Sequence, residues 1–348
     1  VLGDWGFRVE LQETAAGRPN VIGRIGGTAG TLPRRALLLN GHLDTVGVEG
    51  MVHPPWDAHV RDGRLFGRGA SDMKAGVAAM CAAAVRAADA GLMGEVIVAA
   101  VTDEEFQSIG TRRLVDSGIR ADAAIVTEPT RLAVCPAHRG FAWVELVVHG
   151  RAAHGSRWDI GIDAIGLAAL VMAELDQYQI DVLARMSHPL LGRPSLHASL
   201  VSGGIGLSTY PDKCSIELER RTLPGETIAH FVGEVEAACA RVRSRRPELN
   251  AEVRPGFSQD ANDVSPGEPI VRALLRSLEQ SHEPARVEGL ACWTDAALLS
   301  AAGIPAVCFG PGDIALAHAA EEYVVIAEIE RATDILASVI GDWFRTAA

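Results

Sequence analysis

Short, unbroken apolar runs, separated by helix-like stretches, constrain this chain most. They lie at residues 36–39 (Ala36-Leu37-Leu38-Leu39), 95–101, 123–127 and 306–309. A strand with one wet face alternates apolar and polar residues, whereas an unbroken run is buried on both faces. Between the runs, residues 73–90 are alanine-rich and end at Gly91, which predicts a helix. A second helical stretch follows residue 101 and extends to about Asp116, and a last one covers 327–344. Strands alternating with helices predict an α/β fold: a mostly parallel sheet with helices on both faces.

The middle of the chain differs. Strands are predicted at 142–149, 196–201, 214–221 and near 251–254, with helices over 162–177 and 227–245. At 214–221, Ile216 and Leu218 alternate with Glu217 and Glu219, the mark of a half-exposed strand. Two strand–helix–strand units in so short a stretch predict a compact α+β domain with one open sheet face. The expected organisation is therefore an insertion. Residues 1–137 and 259–348 form one α/β domain, interrupted by a smaller domain over 138–258.

At 348 residues, the chain exceeds twice the roughly 150 of a typical domain, which agrees with two domains. Its 32 basic and 44 acidic residues give a net charge of −12, which disfavours nucleic acid and anionic membranes as partners. No apolar run is long enough to span a bilayer. The six cysteines form no C-x-x-C pair and mostly sit in apolar stretches, so reduced thiols and a cytoplasmic location are expected. No signal peptide is visible. The chain opens at Val1 and enters strand-like sequence almost at once, so an N-terminal segment is expected to precede it.

Chemistry-bearing residues collect where the apolar runs end, and open α/β sheets place their sites at carboxyl ends of strands. Asn40-Gly41-His42-Leu43-Asp44 offers an imidazole with a carboxylate two residues on, which can fix its tautomer. By itself it reads as a loop histidine near an acid. Gly67-Arg68-Gly69-Ala70-Ser71-Asp72-Met73-Lys74 matches no phosphate-loop pattern, and Asp72 alone reads as a helix cap. Thr102-Asp103-Glu104-Glu105 crowds three acids at a strand end, which is costly without a cation or full solvation. Glu128 closes another run. Gly310-Pro311-Gly312-Asp313 leads to His318. Two histidines with several carboxylates on one sheet edge suit a two-metal hydrolytic site, with zinc matching the mixed nitrogen and oxygen donors. A nucleophile elbow of the G-x-S-x-G type is lacking.

These segments, with GRAAHGS at 150–156 and FGPGDIALAH at 309–318, resemble the di-zinc aminoacylase/carboxypeptidase family. That family includes acetylornithine deacetylase, succinyl-diaminopimelate desuccinylase and glutamate-releasing carboxypeptidases. The six segments stand in the family's order and span nearly the whole chain. The resemblance implies two Zn²⁺ per chain, with Co²⁺ or Mn²⁺ able to substitute. It implies that Asp72 bridges the metals, through a residue joined to Met73 by a cis peptide. His42 and Glu128 would complete one site, and Glu105 and His318 the other. Glu104 would be the general base, and Asp44 would orient His42. The nucleophile would be a metal-activated water.

The inserted domain would act as a dimerisation and lid domain, with His154 reaching across a homodimer to the oxyanion. Arg221 would hold the substrate α-carboxylate, aided by backbone N–H groups of Gly310 and Gly312. Ser208 stands where many members carry an asparagine, so contacts from that loop differ. The implied substrate is an N-acyl amino acid. A dipeptidase or carboxypeptidase activity is the alternative, and a non-catalytic binding protein on the same fold is a distant one.

Overall fold

In the computed structural model, which describes residues 1–26 and 35–345, the apolar runs form the centre of a nine-stranded sheet. In chain order the elements begin β1 (Arg8–Ala15), β2 (Arg18–Gly26), β3 (Ala36–His42), β4 (His59–Arg61), β5 (Arg64–Phe66), α1 (Ala75–Asp89), β6 (Glu95–Val101), α2 (Ile109–Asp116), β7 (Ala123–Val126) and β8 (Val134–His138). The middle holds β9 (Gly140–His149), α3 (Ala164–Asp181), β10 (Ser195–Gly203), β11 (Lys213–Thr222), α4 (Ile228–Arg245) and β12 (Asn250–Gln259). The rest is β13 (Asn262–Asp263), α5 (Pro269–Gln280), β14 (Val287–Leu290), α6 (Ala296–Ala301), β15 (Ala306–Cys308), β16 (Tyr323–Val325) and α7 (Ile326–Arg345).

The large sheet runs β1-β2-β6-β3-β7-β15-β8-β13, with β14 also paired to β8. Its centre, β6-β3-β7-β15, is parallel. The flanks are not: β2 pairs antiparallel with β6 and with β1, and β15 with β8. The parallel reading therefore holds for the fully buried strands only. Strand β1 is largely exposed, with only Gln12 buried, whereas β2 buries Asn20, Ile22, Gly23 and Ile25, as an antiparallel flank can. Both faces of the centre are covered. Leu37, Leu39, Val96 and Val98 belong to a core shared with α1, α5 and α7. Their alternates Leu38 and Ile97 are equally buried on the other face, where α2 and α6 contact the strands.

Two predicted helices start later than expected. The stretch at 70–74 is a wide, kinked turn with a cis peptide between Asp72 and Met73, and regular helix begins at Ala75. The reason is competition for backbone donors: the Ser71 and Asp72 N–H groups donate to the Glu322 carboxylate. After β6, residues 103–108 form a loop in which the Asp103 carbonyl accepts from Gln107 and Ser108. Helix α1 ends as predicted, with Gly91 at φ 92°.

The chain divides into two compact units. One comprises Val1–Ala137, Asp263–Leu290 and Thr294–Ala348; the other comprises His138–Asn262 and Ala291–Trp293. The second unit is a four-stranded antiparallel sheet, β10-β11-β9-β12, with α3 and α4 packed on one face. Cys214, Ile216 and Leu218 of β11 point into that core, in the predicted phase, and Arg220 continues it inward. The opposite face carries Phe141, Trp143 and Phe257 in mutual ring contact. Within the first unit, β16-β5-β4 make a small separate sheet.

Candidate active site

Parallel pairing assembles the site. His42, the last residue of β3, is in register with Val101, the last of β6, and Asn40 with Val126, the last of β7. The segments at 42–44, 102–105 and 127–128 therefore leave the sheet side by side. Asp72 comes from the kinked turn, which Glu322 holds in place. This fully buried carboxylate accepts from Arg68 at 2.8 Å and from the backbone N–H groups of Gly69, Ser71 and Asp72 at 3.0–3.1 Å. His318 follows β15 in a turn, with a left-handed φ of 60°.

Asp72 sits between the two histidines. Its Oδ1 is 3.0 Å from His42 Nε2, and its Oδ2 is 3.4 Å from His318 Nε2. His318 Nε2 also lies 3.1 Å from Glu105 Oε2. Donor atoms of His42, Asp72 and Glu105 fall within 4.8 Å of one another, close enough for one cation. The His42 Nδ1–H donates to the main-chain carbonyl of Asp44 at 3.0 Å, so Nε2 faces Asp72.

That contact refines the role implied for Asp44. Its carboxylate is 3.9 Å from His42, and it instead accepts from the N–H groups of Asp103, Glu104 and Glu105 at 2.6, 3.3 and 3.2 Å. Asp44 thus orients His42 through its backbone and gathers the acidic loop through its side chain. The expectation for Gly310 and Gly312 is not met. The Gly310 N–H donates to Thr130 Oγ1 and the Gly312 N–H to Glu328, so neither is offered to a ligand.

The electrostatics are those of a crowded anionic cluster. Burial pushes the Glu104 carboxyl well above the usual range, with His42 opposing and Glu128 adding to the rise. Glu128 is raised in the same way, by burial and then by Asp72. Burial works against a charged His42, yet its hydrogen bond to Asp72 and the charges of Glu104 and Glu128 prevail and hold it well above normal. His318 is pushed up to about 10, first by Asp72 and then by Glu105. Asp72 is lowered because its bonds to both histidines outweigh burial. Protons thus sit where the carboxylates demand positive charge.

Sequence reasoning missed two buried acids. Asp295 reads as a cap before α6, but its carboxylate accepts from Thr111 at 2.6 Å, and burial lifts it to about 6. Glu322 precedes β16 in Ala319-Ala320-Glu321-Glu322, where nothing separates it from a surface acid. Three expected residues lie in the second unit. His154 is exposed, with Nδ1 2.8 Å from Ser156 Oγ. Ser208 is exposed, and its carbonyl accepts from Gly155. Arg221 pairs with Glu219 at 2.7 Å and lies over the Phe141 ring.

The model of peptidase family M20/M25/M40 matches residues 38–342, a span that includes every candidate metal ligand. The chain belongs to this family. Among relatives of this M20 protein is an acetylornithine deacetylase of Myxococcus xanthus, 28% identical over 97% of this chain and 88% of that one. Another is the N-formyl-4-amino-5-aminomethyl-2-methylpyrimidine deformylase of Bacillus subtilis, 29% identical over 98% of this chain and 87% of that one. The fold matches aminopeptidase PepT from Bacillus cereus with a TM-score of 0.82, at 21% identity over 98% and 90% of the two chains. A dinuclear metal-binding M20 peptidase of Bacillus subtilis superposes with a TM-score of 0.76, at 15% identity over 99% and 90%. The M20 chain is thus a hydrolase of C–N bonds.

Proposed function

We propose that this M20 hydrolase uses two zinc ions to remove the acyl group from an N-acyl amino acid. One observation carries the reading: the two oxygens of Asp72 address two different histidines, His42 and His318. A carboxylate so placed can bridge two cations. The donor set fits, because imidazole with carboxylate suits zinc, and cobalt or manganese can replace it. His42, Asp72 and Glu128 would hold one ion, and Asp72, Glu105 and His318 the other. Binding would displace the Nε2 protons and relieve the carboxylate crowding, so uptake of metal releases protons.

When bound, the metals supply Lewis acidity to a water and to the scissile carbonyl. The chain's own residues do the rest. Glu104, next to the ligand Glu105 on a loop fixed by Asp44, takes the proton of the attacking water and returns it to the leaving nitrogen. The second unit, roughly 138–258, would serve as the lid and dimer domain. His154 of a second copy would meet the oxyanion. Arg221 would exchange Glu219 for the substrate α-carboxylate, a charge-assisted planar match, with Ser208 on a neighbouring loop.

A homodimer is supported by the outer edge of β10. Among the described residues this strand is unpaired on one side, and it carries Leu200 and Val201 at 67% and 64% exposure. The six cysteines form no disulfide, which supports a cytoplasmic setting. No described helix is long and apolar enough to cross a membrane. A peptidase reading draws on the solved aminopeptidase and tripeptidase folds, and it shares the same metal site. A non-catalytic role is disfavoured by the complete donor set together with Glu104. The deciding experiment assays zinc-loaded protein on N-acetyl, N-formyl and N-succinyl amino acids and on dipeptides. Turnover of an acyl amino acid, abolished by a chelator, is expected. Turnover of dipeptides alone would select the peptidase, and chelator-resistant turnover would remove the metal mechanism.

A further inference from the structure

At the other end of the large sheet lies a cavity of about 350 Å³ lined by Arg35, Pro269, Arg272, Arg276 and Trp343. Among the described residues three that bear guanidinium groups and no carboxylate line it, in a protein whose net charge is −12. Like charges brought together repel unless an anion joins them. Acids near in sequence are otherwise engaged: Glu95 pairs with Arg8 and Arg24, and Asp342 with Arg345. Glu268 caps α5 beside Pro269 without pairing to Arg272 or Arg276, which have no ion pair among the described residues.

The wall is built rather than incidental. Arg35 Nη1 donates to the Trp343 carbonyl at 2.9 Å, and its guanidinium stacks 4.1 Å from the indole centroid. Trp343 is 2% exposed, and its Nε1–H has no acceptor among the described residues. Arg272 and Arg276 stand one turn apart on the exposed side of α5, and Arg272 ends its first turn, where the helix N-terminus also favours negative charge. Pro269 opens that helix and contributes no N–H of its own.

From this geometry we propose a phosphate-type oxyanion site, held by Arg35, Arg272 and Arg276 with the indole of Trp343 behind them. Arg35 precedes β3 and His42 ends it, so the site lies roughly 20 Å from the metal ligands, at about 3.3 Å per strand residue. Occupancy would therefore stabilise the first unit without entering the reaction. It would tie the strand β3 to α5 and α7, which pack together beneath the sheet.

Thermal unfolding of the metal-loaded full chain would be followed with inorganic phosphate, tripolyphosphate and AMP, against chloride at equal ionic strength. A saturable rise in midpoint of about 2–4 °C is expected at tenfold excess over Kd. Loss of that rise in Arg272→Ala/Arg276→Ala, with kcat unchanged, would support the site. Response to inorganic phosphate would indicate a free anion, and response to AMP alone a phosphorylated metabolite. An equal rise in wild type and double variant would place the anion elsewhere, including at the metals, and overturn the proposal. No saturable rise with any of the three would do the same.

Discussion

Glu104 can be separated from its neighbours by a change of one atom. Glu104→Gln keeps the volume and the loop contacts to Asp44 but cannot accept a proton. We expect kcat to fall by about 10²–10⁴-fold with metal content unchanged, measured by steady-state kinetics and metal analysis. Near-full kcat would assign the base elsewhere. His138 makes a different prediction, of stability. It is buried, its Nδ1–H donates to the Arg139 carbonyl at 3.0 Å, and burial pulls it down to about 4. The unfolded chain, with an ordinary histidine near 6.5, therefore binds the proton first. The contribution is full above about pH 6.5 and is lost as pH falls toward 4, on the order of 3 kcal/mol. Urea titrations across that window should show a flatter pH slope for His138→Gln than for wild type, both metal-free. Arg220 and Arg221 give the residue-scale lesson on reading sequence. Period-two alternation puts position 220 inside, where its guanidinium meets Glu226 and Glu234. Which arginine is drawn inward is settled by Glu226, in the turn before α4, and Glu234, on α4, and no local pattern reports them.

At the scale of elements, the site depends on how each strand hands over to its loop. The strands were legible because unbroken apolar runs have few other places to go. The turn carrying Asp72 was not. It reads as the cap and start of a helix from Met73, and only Glu322, some 250 residues away, claims the donors that such a helix start would leave free. Glu322→Ala would leave Arg68 uncompensated in the interior and free three backbone N–H groups. A stability loss on the order of 3–5 kcal/mol is expected from equilibrium unfolding, because one buried partner is removed and the other charge remains. Metal affinity should also fall by about 10–100-fold, since Asp72 loses the frame that aims it. Unchanged stability and affinity would reduce Glu322 to a bystander.

For the whole molecule, the reading predicts a homodimer through the second unit. Sedimentation should give a dimer at assay concentration. Breaking the β10 edge with Leu200→Lys/Val201→Lys should yield folded, zinc-binding monomer with kcat reduced at least as far as in His154→Ala. An active monomer would dismiss both the dimer role and the trans histidine. The amino-acid order by itself determined the α/β class and the family, picked out Asp72 and His318 by their motifs, and put His42, Glu104, Glu105 and Glu128 where buried strands end. Those are local consequences of hydrophobic burial and of parallel pairing, which aligns carboxyl ends. Only the tertiary structure decided that the sheet's flanks are antiparallel and that Asp44 holds a loop. The same is true of the Gly310 and Gly312 amides, which are already engaged, and of Glu322, which shapes the turn at Asp72. In each case a hydrogen-bonding group has several partners of equal chemistry, and the choice is made by which one packing brings within 3 Å.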